Sequence, residues 1–383
     1  MRTERPAPSS EVTRRSLRSA SLPVFPWDTL AEVTAAARAY PDGIVDLSVG
    51  TPVDEVAAVI REALAAASSS PGYPTTAGTQ ALREAMVAAL HRRYGITGLT
   101  PAAVLPVIGT KELIAWLPTL LDLGPADTVV VPELAYPTYE VGALLAHARA
   151  VRADSLTQLG PSVPALVFLN SPSNPTGRVL GVDHLRKVVG WARERGVLVA
   201  SDECYLGLGW DDSRPVSILH PEVCGGDHTG LLAIHSLSKT SSLAGYRAGF
   251  VAGDPDVVAE LLAVRKHAGM MVPTPIQAAM VAALDDDEHE HQQRLRYARR
   301  RDMLLPALRS AGFTVDHSEA GLYLWATRGE PCRETLAWLA DRGILVAPGE
   351  FYGPKGARHV RVALTATDER IAAAAQRLAD PAR

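Results

Sequence analysis

Lys239 is the side chain whose type and neighbours point most directly to chemistry. It ends the segment Ser236-Leu-Ser-Lys239, and only five of the 38 lysines and arginines in the chain are lysine. Because the chain prefers arginine so strongly, a retained lysine indicates that its position needs an amine. An amine can form a Schiff base with a carbonyl group. Arg247 lies shortly downstream, and its guanidinium with the serine hydroxyls would suit a phosphate. On its own, this segment is more typical of a strand that ends in a polar turn.

Two upstream segments supply further reactive groups. Asn174 opens an Asn-Pro-Thr-Gly segment after the apolar residues 165–169, and Asp202 and Tyr205 follow the apolar residues 197–200. These groups each stand just past a predicted strand, so they would meet at one edge of a parallel sheet, where open α/β sheets bind ligands. We therefore expect an amide, a carboxylate, a phenol and an amine in one site.

In order and spacing, these motifs resemble those of the fold-type I aminotransferases, which depend on pyridoxal phosphate (PLP), and the resemblance runs from about residue 22 to the C-terminal helix. It implies an α/β fold, with a large domain whose mostly parallel seven-stranded sheet is sandwiched by helices, and a smaller α+β domain. The expected divisions are a flexible tail at 1–20, an N-terminal arm at 21–45 that joins the small domain, a large PLP-binding domain at 46–285 and a small domain at 286–383.

The resemblance implies catalytic roles for Lys239, Asp202 and Tyr205. Lys239 would carry PLP on its amine and then move the proton at the substrate Cα. Asp202 would pair with the pyridine nitrogen and keep the ring protonated, so that the ring can accept electrons. Tyr205 and Asn174 would both hydrogen-bond the ring oxygen and favour its ionised form. Taken alone, Asp202 could be a helix cap, and Asn174-Pro would be an ordinary turn.

The resemblance also implies the other PLP-binding residues, which are Gly109, Thr110, Lys111, Tyr136, Ser236, Ser238, Arg247 and Tyr73. A helix that starts at Gly109-Thr-Lys would bind the phosphate, because backbone N–H groups at a helix start attract anions. A surface position is an equally good interpretation of Lys111. Tyr136 would stack on the ring face, although a core aromatic would look the same. Tyr73 would reach the phosphate of a neighbouring subunit, which implies a homodimer with shared sites.

Arg361 is the implied partner of the substrate α-carboxylate, since an arginine between valines on a strand needs an anionic partner. Gly50 would let the backbone approach the substrate closely. Phe25 and Trp27 are our choices for the wall of the side-chain space, with packing on a partner subunit as the alternative. No second arginine can be assigned to a distal carboxylate. The Arg-Lys-His group at 265–267 is a candidate, but a solvated helix end is the favoured interpretation.

Three longer segments, at 21–28, 238–247 and 346–353, are similar to the actinobacterial succinyldiaminopimelate aminotransferases of lysine biosynthesis. This similarity predicts ping-pong transfer between glutamate and N-succinyl-2-amino-6-oxopimelate. A broad-range aminotransferase and a PLP-dependent C–S lyase would share every residue named above, and both stay open. A PLP-sensing regulator of the same fold would need a fused DNA-binding domain, for which the N-terminal tail is too short.

The whole-chain properties exclude several other classes of function. A net charge of −4 and a pI near 6.3 give no electrostatic case for nucleic acid or an anionic membrane. No apolar run approaches the ~20 residues that span a bilayer. Three cysteines leave one unpaired, and their spacing matches no zinc motif. We therefore expect no metal and a reduced, cytoplasmic setting.

Apolar runs and helical stretches alternate in the part of the chain that must position these residues. The runs are nearly continuous, as in a parallel sheet covered on both faces, and they predict strands at 104–108, 128–131, 165–169, 197–201, 230–235 and 248–252. Helices are predicted at 28–40, with Asp28 as its N-cap, and at 182–195 and 255–267. Beyond residue 285, helices at 290–310, 331–342 and 367–379 and strands at 313–315, 322–326, 344–347 and 359–363 predict a separate α+β unit.

Overall fold

The computed structural model describes residues 22–380. The predicted tail at 1–20 lies outside these residues. The strands, in chain order, are β1 (Val45–Asp46), β2 (Val104–Ile108), β3 (Thr128–Val131), β4 (Arg149–Arg152), β5 (Leu166–Asn170), β6 (Leu198–Asp202), β7 (Leu231–Ser236), β8 (Ala248–Gly253), β9 (Thr314–Asp316), β10 (Tyr323–Thr327), β11 (Ile344–Leu345), β12 (Ala347–Pro348) and β13 (Val360–Ala363).

The α-helices are α1 (Ala31–Arg38), α2 (Ala58–Ala66), α3 (Gln80–Tyr94), α4 (Thr110–Leu120), α5 (Thr138–Leu145), α6 (Val182–Arg195), α7 (Pro221–Cys224), α8 (Leu237–Thr240), α9 (Pro255–Ala268), α10 (Thr274–Asp285), α11 (Asp287–Ser310), α12 (Cys332–Ala340) and α13 (Asp368–Ala379). None of the helices between residues 22 and 380 combines the length and apolar character needed to cross a membrane.

The central element is a seven-stranded sheet with the order β2-β8-β7-β6-β5-β3-β4. Successive side chains point to opposite faces of a strand, and both faces here are apolar. Val130 packs with α3, α6 and α10 on one face, whereas Val129 and Val131 pack with α4, α5 and α9 on the other. The predicted architecture of a mostly parallel sheet between helical layers is confirmed.

The sheet departs from the predictions at two strands, β8 and β4. The apolar run of β8 predicts a parallel strand, but β8 runs antiparallel to both of its neighbours, β2 and β7. β4 was not predicted, because an arginine stands at each end of it and its residues are only partly buried at the sheet edge. In the interior, β5, β6 and β7 are parallel, and Asp202 is in register with Asn170 and Ile234. The polar ends of these strands therefore lie side by side.

A second, smaller core surrounds the antiparallel sheet β12-β13-β10-β9. It contains residues of α11, α12 and α13 together with Leu30, Ala37 and Val45 from the N-terminal part, and β1 pairs with β11. The predicted helix at 28–40 begins differently. Pro26–Leu30 form a 3-10 helix ahead of α1, so Asp28 lies inside that turn and does not cap a helix. The predicted divisions at residues 45 and 285 stay predictions.

Candidate active site

A cleft of about 1390 Å³ opens where the carboxyl ends of β5, β6 and β7 face the smaller sheet. Most of the predicted site residues line it, although they come from distant parts of the chain. They are Phe25, Trp27, Gly50, Thr110, Lys111, Tyr136, Asn174, Asp202, Tyr205, Ser236, Ser238, Lys239, Arg247 and Arg361. The structure thus brings the predicted amine, carboxylate, phenol, amide and guanidinium groups together.

Lys239 lies on the one-turn helix α8, directly after β7. The hydroxyl of Ser236 accepts a hydrogen bond from the Ser238 N–H at 3.1 Å and caps this turn. Tyr297 donates to the Lys239 carbonyl oxygen at 3.1 Å, while the Lys239 amine donates to the Gly50 carbonyl oxygen. Burial lowers the pKa of Lys239, because a low-dielectric setting disfavours the charged ammonium. This favours the neutral amine, which is the nucleophilic form.

Asp202 ends β6 and is only 5% exposed. Its carboxylate accepts hydrogen bonds from the Tyr139 hydroxyl at 2.7 Å and from the Cys204 N–H at 3.2 Å. Burial raises its pKa despite these bonds. Among residues 22–380, no lysine, arginine or histidine forms an ion pair with Asp202. A buried carboxylate that faces a cleft without a cation is costly, and the protonated nitrogen of a pyridine ring would supply that cation.

Arg247 lies at another part of the cleft, next to the start of α4. A Cβ atom added to Gly109 would lie 2.2 Å from the Arg247 guanidinium, so this close approach requires glycine. The guanidinium donates to the Ala244 carbonyl oxygen at 2.8 Å, and no carboxylate in the described part of the chain pairs with it. Thr110 begins α4, whose first N–H groups point toward its N-terminal end. This arrangement suits the phosphate of PLP.

Arg361 is on β13 and is 3% exposed. It donates to the Asn174 side-chain oxygen at 2.9 Å and to the Ser48 carbonyl oxygen at 2.7 Å. Because the Asn174 oxygen accepts this bond, the Asn174 NH₂ group remains the donor of that side chain. The Arg361 guanidinium also lies 3.9 Å from the ring centre of Tyr323. These contacts hold a buried cation rigidly at the cleft.

Tyr323 and Tyr139 are site residues that sequence reasoning did not find. The Tyr323 hydroxyl lies 3.1 Å from the Tyr205 hydroxyl. A Cβ atom on Gly50 would lie 2.1 Å from the Tyr323 hydroxyl, so Gly50 makes room for this phenol. Tyr139 stands three residues after the predicted Tyr136 but was not itself predicted. No local pattern distinguishes either tyrosine from a core aromatic, because each role depends on a partner far away in the chain.

Aromatic rings form one wall near the cleft entrance. The Phe25 and Trp27 ring centres are 5.5 Å apart, and Trp27 lies 5.4 Å from Phe351, which was not predicted. The Lys111 ammonium lies 5.3 Å from the Phe25 ring centre. Tyr136 lines the same cleft, and burial raises its pKa to about 12, so its phenol stays neutral.

Two predicted features lie apart from this cleft. Tyr73 is 98% exposed in the single chain, and its predicted contact with a second subunit stays a prediction. The interpretation of residues 265–267 as a solvated helix end is wrong for Arg265. This side chain is fully buried and forms paired hydrogen bonds of 2.9 and 3.1 Å with Glu112. Because Glu112 neutralises it, Arg265 is not a candidate for a distal substrate carboxylate.

Comparisons with known proteins agree with this geometry. The profile of the family described as aminotransferase class I and II matches residues 42–378. The chain is 80% identical over 360 residues to a probable aminotransferase of Mycobacterium tuberculosis, covering 94% of this chain and 86% of that protein. It is 61% identical over 357 residues to the 4-dedimethylamino-4-oxo-anhydrotetracycline transaminase OxyQ of Streptomyces rimosus, covering 93% and 99%.

Solved structures of aminotransferases have the same fold as this chain. An aminotransferase from Neisseria meningitidis superposes with a TM-score of 0.86 at 30% identity, covering 95% of this chain and 99% of that one. A probable N-succinyldiaminopimelate aminotransferase from Thermus thermophilus superposes with a TM-score of 0.83 at 29% identity, covering 93% and 99%.

Proposed function

Because this chain belongs to the aminotransferase class I and II family, we propose that it moves an amino group between glutamate and N-succinyl-2-amino-6-oxopimelate. It is a PLP-dependent transaminase that acts on amino and keto acids. The proposal places it in the diaminopimelate branch of lysine biosynthesis, in the cytoplasm. One observation carries the proposed chemistry: the Lys239 amine, the buried Asp202 carboxylate and the Arg247 guanidinium line the same cleft, and neither of the last two forms an ion pair within residues 22–380.

When bound, PLP supplies an electron-accepting ring that stabilises negative charge at the substrate Cα. Asp202 holds the proton on the ring nitrogen, and Tyr139 orients that carboxylate through its 2.7 Å hydrogen bond. Lys239 takes and returns the proton at the Cα, because burial favours its neutral form. Tyr205 and Asn174 would donate to the ring oxygen, while Arg247 with Ser236 and Ser238 would bind the phosphate.

Arg361 binds the α-carboxylate of glutamate and of the newly aminated centre of the second substrate. The two substrates bind in turn, since the amino group must be left on the enzyme before the acceptor enters. One enzyme therefore recognises two different side chains in the same cleft. This order of substrate binding predicts ping-pong kinetics.

The charge of the cleft supports the succinylated substrate. Lys111 lines the cleft next to Phe25, and no carboxylate of residues 22–380 pairs with it. Its ammonium is thus available for a distal acidic group, whereas Arg333 and Arg152 at the same cleft are paired with Glu350 and Glu140. The similarity to the Thermus thermophilus protein and to LL-diaminopimelate aminotransferases at 31–34% identity agrees with an acidic acceptor.

We further propose a homodimer with shared sites. Tyr73 is 98% exposed in the single chain, so its phenol is accessible to a second subunit, as the predicted shared site requires.

A second candidate is an acceptor with a bulky polycyclic ketone. The aromatic wall of Phe25, Trp27 and Phe351 favours it, as does the 61% identity to OxyQ, which is named as a transaminase of an oxo-anhydrotetracycline. A flat polycyclic substrate would stack on such a wall.

One assay separates these substrates. The purified chain with PLP and glutamate is given the succinylated keto acid, short aliphatic and aromatic keto acids, and an oxo-anhydrotetracycline, and kcat/KM is measured for each. The proposal predicts the highest value for the succinylated keto acid. A tenfold or greater preference for short keto acids would establish a broad-range enzyme, and a preference for the polycyclic ketone would establish the second candidate. Pyruvate and a thiol released from cystathionine without an acceptor would indicate the C–S lyase.

A further inference from the structure

Tyr323 is a second phenol at the centre of the cleft, next to Tyr205. Their hydroxyl oxygens are 3.1 Å apart, and the two side chains are 3% and 6% exposed. Tyr323 opens β10 and is in register with Ala363 on β13, so the smaller sheet fixes its position. Tyr205 follows β6 of the large sheet. Their hydrogen bond therefore connects the two sheets at the site.

The direction of this hydrogen bond follows from proton counting. A phenol has one proton to donate. When Tyr205 donates to the ring oxygen of PLP, it has no proton left for Tyr323 and can only accept from it. A donor to Tyr205 polarises its O–H bond and strengthens the hydrogen bond that Tyr205 makes in turn. We infer that Tyr323 is a positioning residue, which directs the single proton of Tyr205 toward the cofactor.

The surrounding charges favour Tyr323 as the donor of the pair. Burial alone would raise the pKa of Tyr323, but the Arg361 guanidinium, 3.9 Å from its ring centre, lowers it below the ordinary value. Burial raises the pKa of Tyr205. The more acidic phenol donates and the less acidic one accepts. This is the direction that proton counting requires.

Gly50 allows this arrangement. A Cβ atom at residue 50 would lie 2.1 Å from the Tyr323 hydroxyl, closer than real Cβ contacts occur. The carbonyl oxygen of the same residue accepts from Lys239. Glycine at this position thus lets the phenol and the amine approach the same stretch of backbone. Gly50→Ala would displace the hydroxyl while it leaves the phenol in the sequence.

Tyr323→Phe tests the inference in the PLP-loaded protein, because it keeps the ring on Arg361 and removes only the hydroxyl. The first readout is the pH midpoint of the visible absorption of the bound cofactor. Without Tyr323 as donor, Tyr205 stabilises the ionised ring oxygen less well, so the midpoint should rise by about 0.5 to 1 pH unit, as expected for about one hydrogen bond. PLP should still bind, and kcat/KM for any amino donor should fall about three- to tenfold.

Tyr352→Phe is the matched control. Tyr352 is also buried with its ring over Arg361, at 5.0 Å, but its hydroxyl has no partner among the described residues and it does not line the cleft. Removal of the Tyr352 hydroxyl should leave the pH midpoint of the cofactor absorption unchanged. Gly50→Ala should raise the midpoint in the same direction as Tyr323→Phe, and it serves as a second route if the phenylalanine variant does not fold.

Tyr323→Phe in a Tyr205→Phe background shows whether Tyr323 acts through Tyr205. Non-additivity is expected for residues that act on one another, so the second substitution should cause no further shift. An unshifted midpoint in Tyr323→Phe, or an equal shift in both backgrounds, would overturn the inference. The inference rests on PLP bound at Lys239, and borohydride labelling of that lysine tests this separately. Labelling of Lys239 together with an unshifted midpoint would overturn only the role of Tyr323.

Discussion

Glu203→Gln should make the free energy of unfolding less dependent on pH. Glu203 follows Asp202, is 2% exposed, and accepts from the Ile218 N–H at 2.8 Å. Its other oxygen lies 3.7 Å from Nε2 of His235. Burial raises the pKa of Glu203 from 4.5 to about 7 and lowers that of His235 to about 3. Near pH 6 this contact therefore joins a neutral acid to a neutral imidazole and is not a salt bridge.

The direction in which the free energy of unfolding changes with pH follows from the protons that each state binds. A folded pKa above the unfolded one means that the folded state binds the extra proton. The stabilisation is present below pH 4.5 and is lost as the pH rises through about 7. The full shift is worth about 3 kcal/mol, of which roughly 2–3 kcal/mol is lost between about pH 5 and pH 8. The nearest charged group to Glu203 along the chain is Asp202. Glu290 of α11, which is paired with Arg93, lies near Tyr94.

Glutamine imitates the protonated acid, so the variant should lack this loss. Denaturant unfolding of both proteins at fixed protein and cofactor concentrations gives the comparison. Relative to the native protein, Glu203→Gln should gain roughly 2–3 kcal/mol between about pH 5 and pH 8. Glu222→Gln, an exposed carboxyl on α7, is the control and should show no such gain. A difference between the Glu203 variant and the native protein that stays constant across this range would refute the reasoning.

Three further predictions concern the site. Asp202→Asn should lower kcat by roughly a thousandfold while PLP stays bound, as for other mispaired catalytic carboxylates, and near-normal single-turnover rates would contradict its role. Arg361→Lys should raise KM for glutamate by about ten- to a hundredfold, because an ammonium cannot replace a paired guanidinium contact. An unchanged KM would count against the assignment. Tyr73→Phe mixed with inactive Lys239→Ala should recover activity above the sum of the two if subunits share sites, and no recovery in a mixture shown to exchange subunits would exclude composite sites.

The short-range motifs could be predicted because their reactive residues stand directly after predicted strands, which determines where they lie in the fold. Asp202 and Lys239 each follow a buried apolar strand, and parallel strands in register bring their ends to one edge of the sheet. The sequence therefore predicts both the sheet and the residues at its edge. β2 and β3 have the predicted bounds because nearly all of their residues are apolar.

The features that were missed depend on contacts between distant residues. Tyr205 and Tyr323 are 118 positions apart, and Arg265 and Glu112 are 153 apart. Nothing near Tyr323 distinguishes a site phenol from a core aromatic. Likewise, the polar surroundings of Arg265 resemble a solvated helix end until Glu112 on another helix is placed beside it. β4 was missed for a local reason, since an edge strand does not need an apolar run.

Attachment of PLP at Lys239 is the central claim, and one measurement tests it most directly. The PLP-loaded protein is reduced with borohydride, digested, and mapped by mass spectrometry. Reduced PLP should be found on Lys239, and Lys239→Ala should yield no labelled peptide and no transamination, even if PLP still binds noncovalently. Reduced PLP on Lys111 or Lys266 in the native protein would contradict the account.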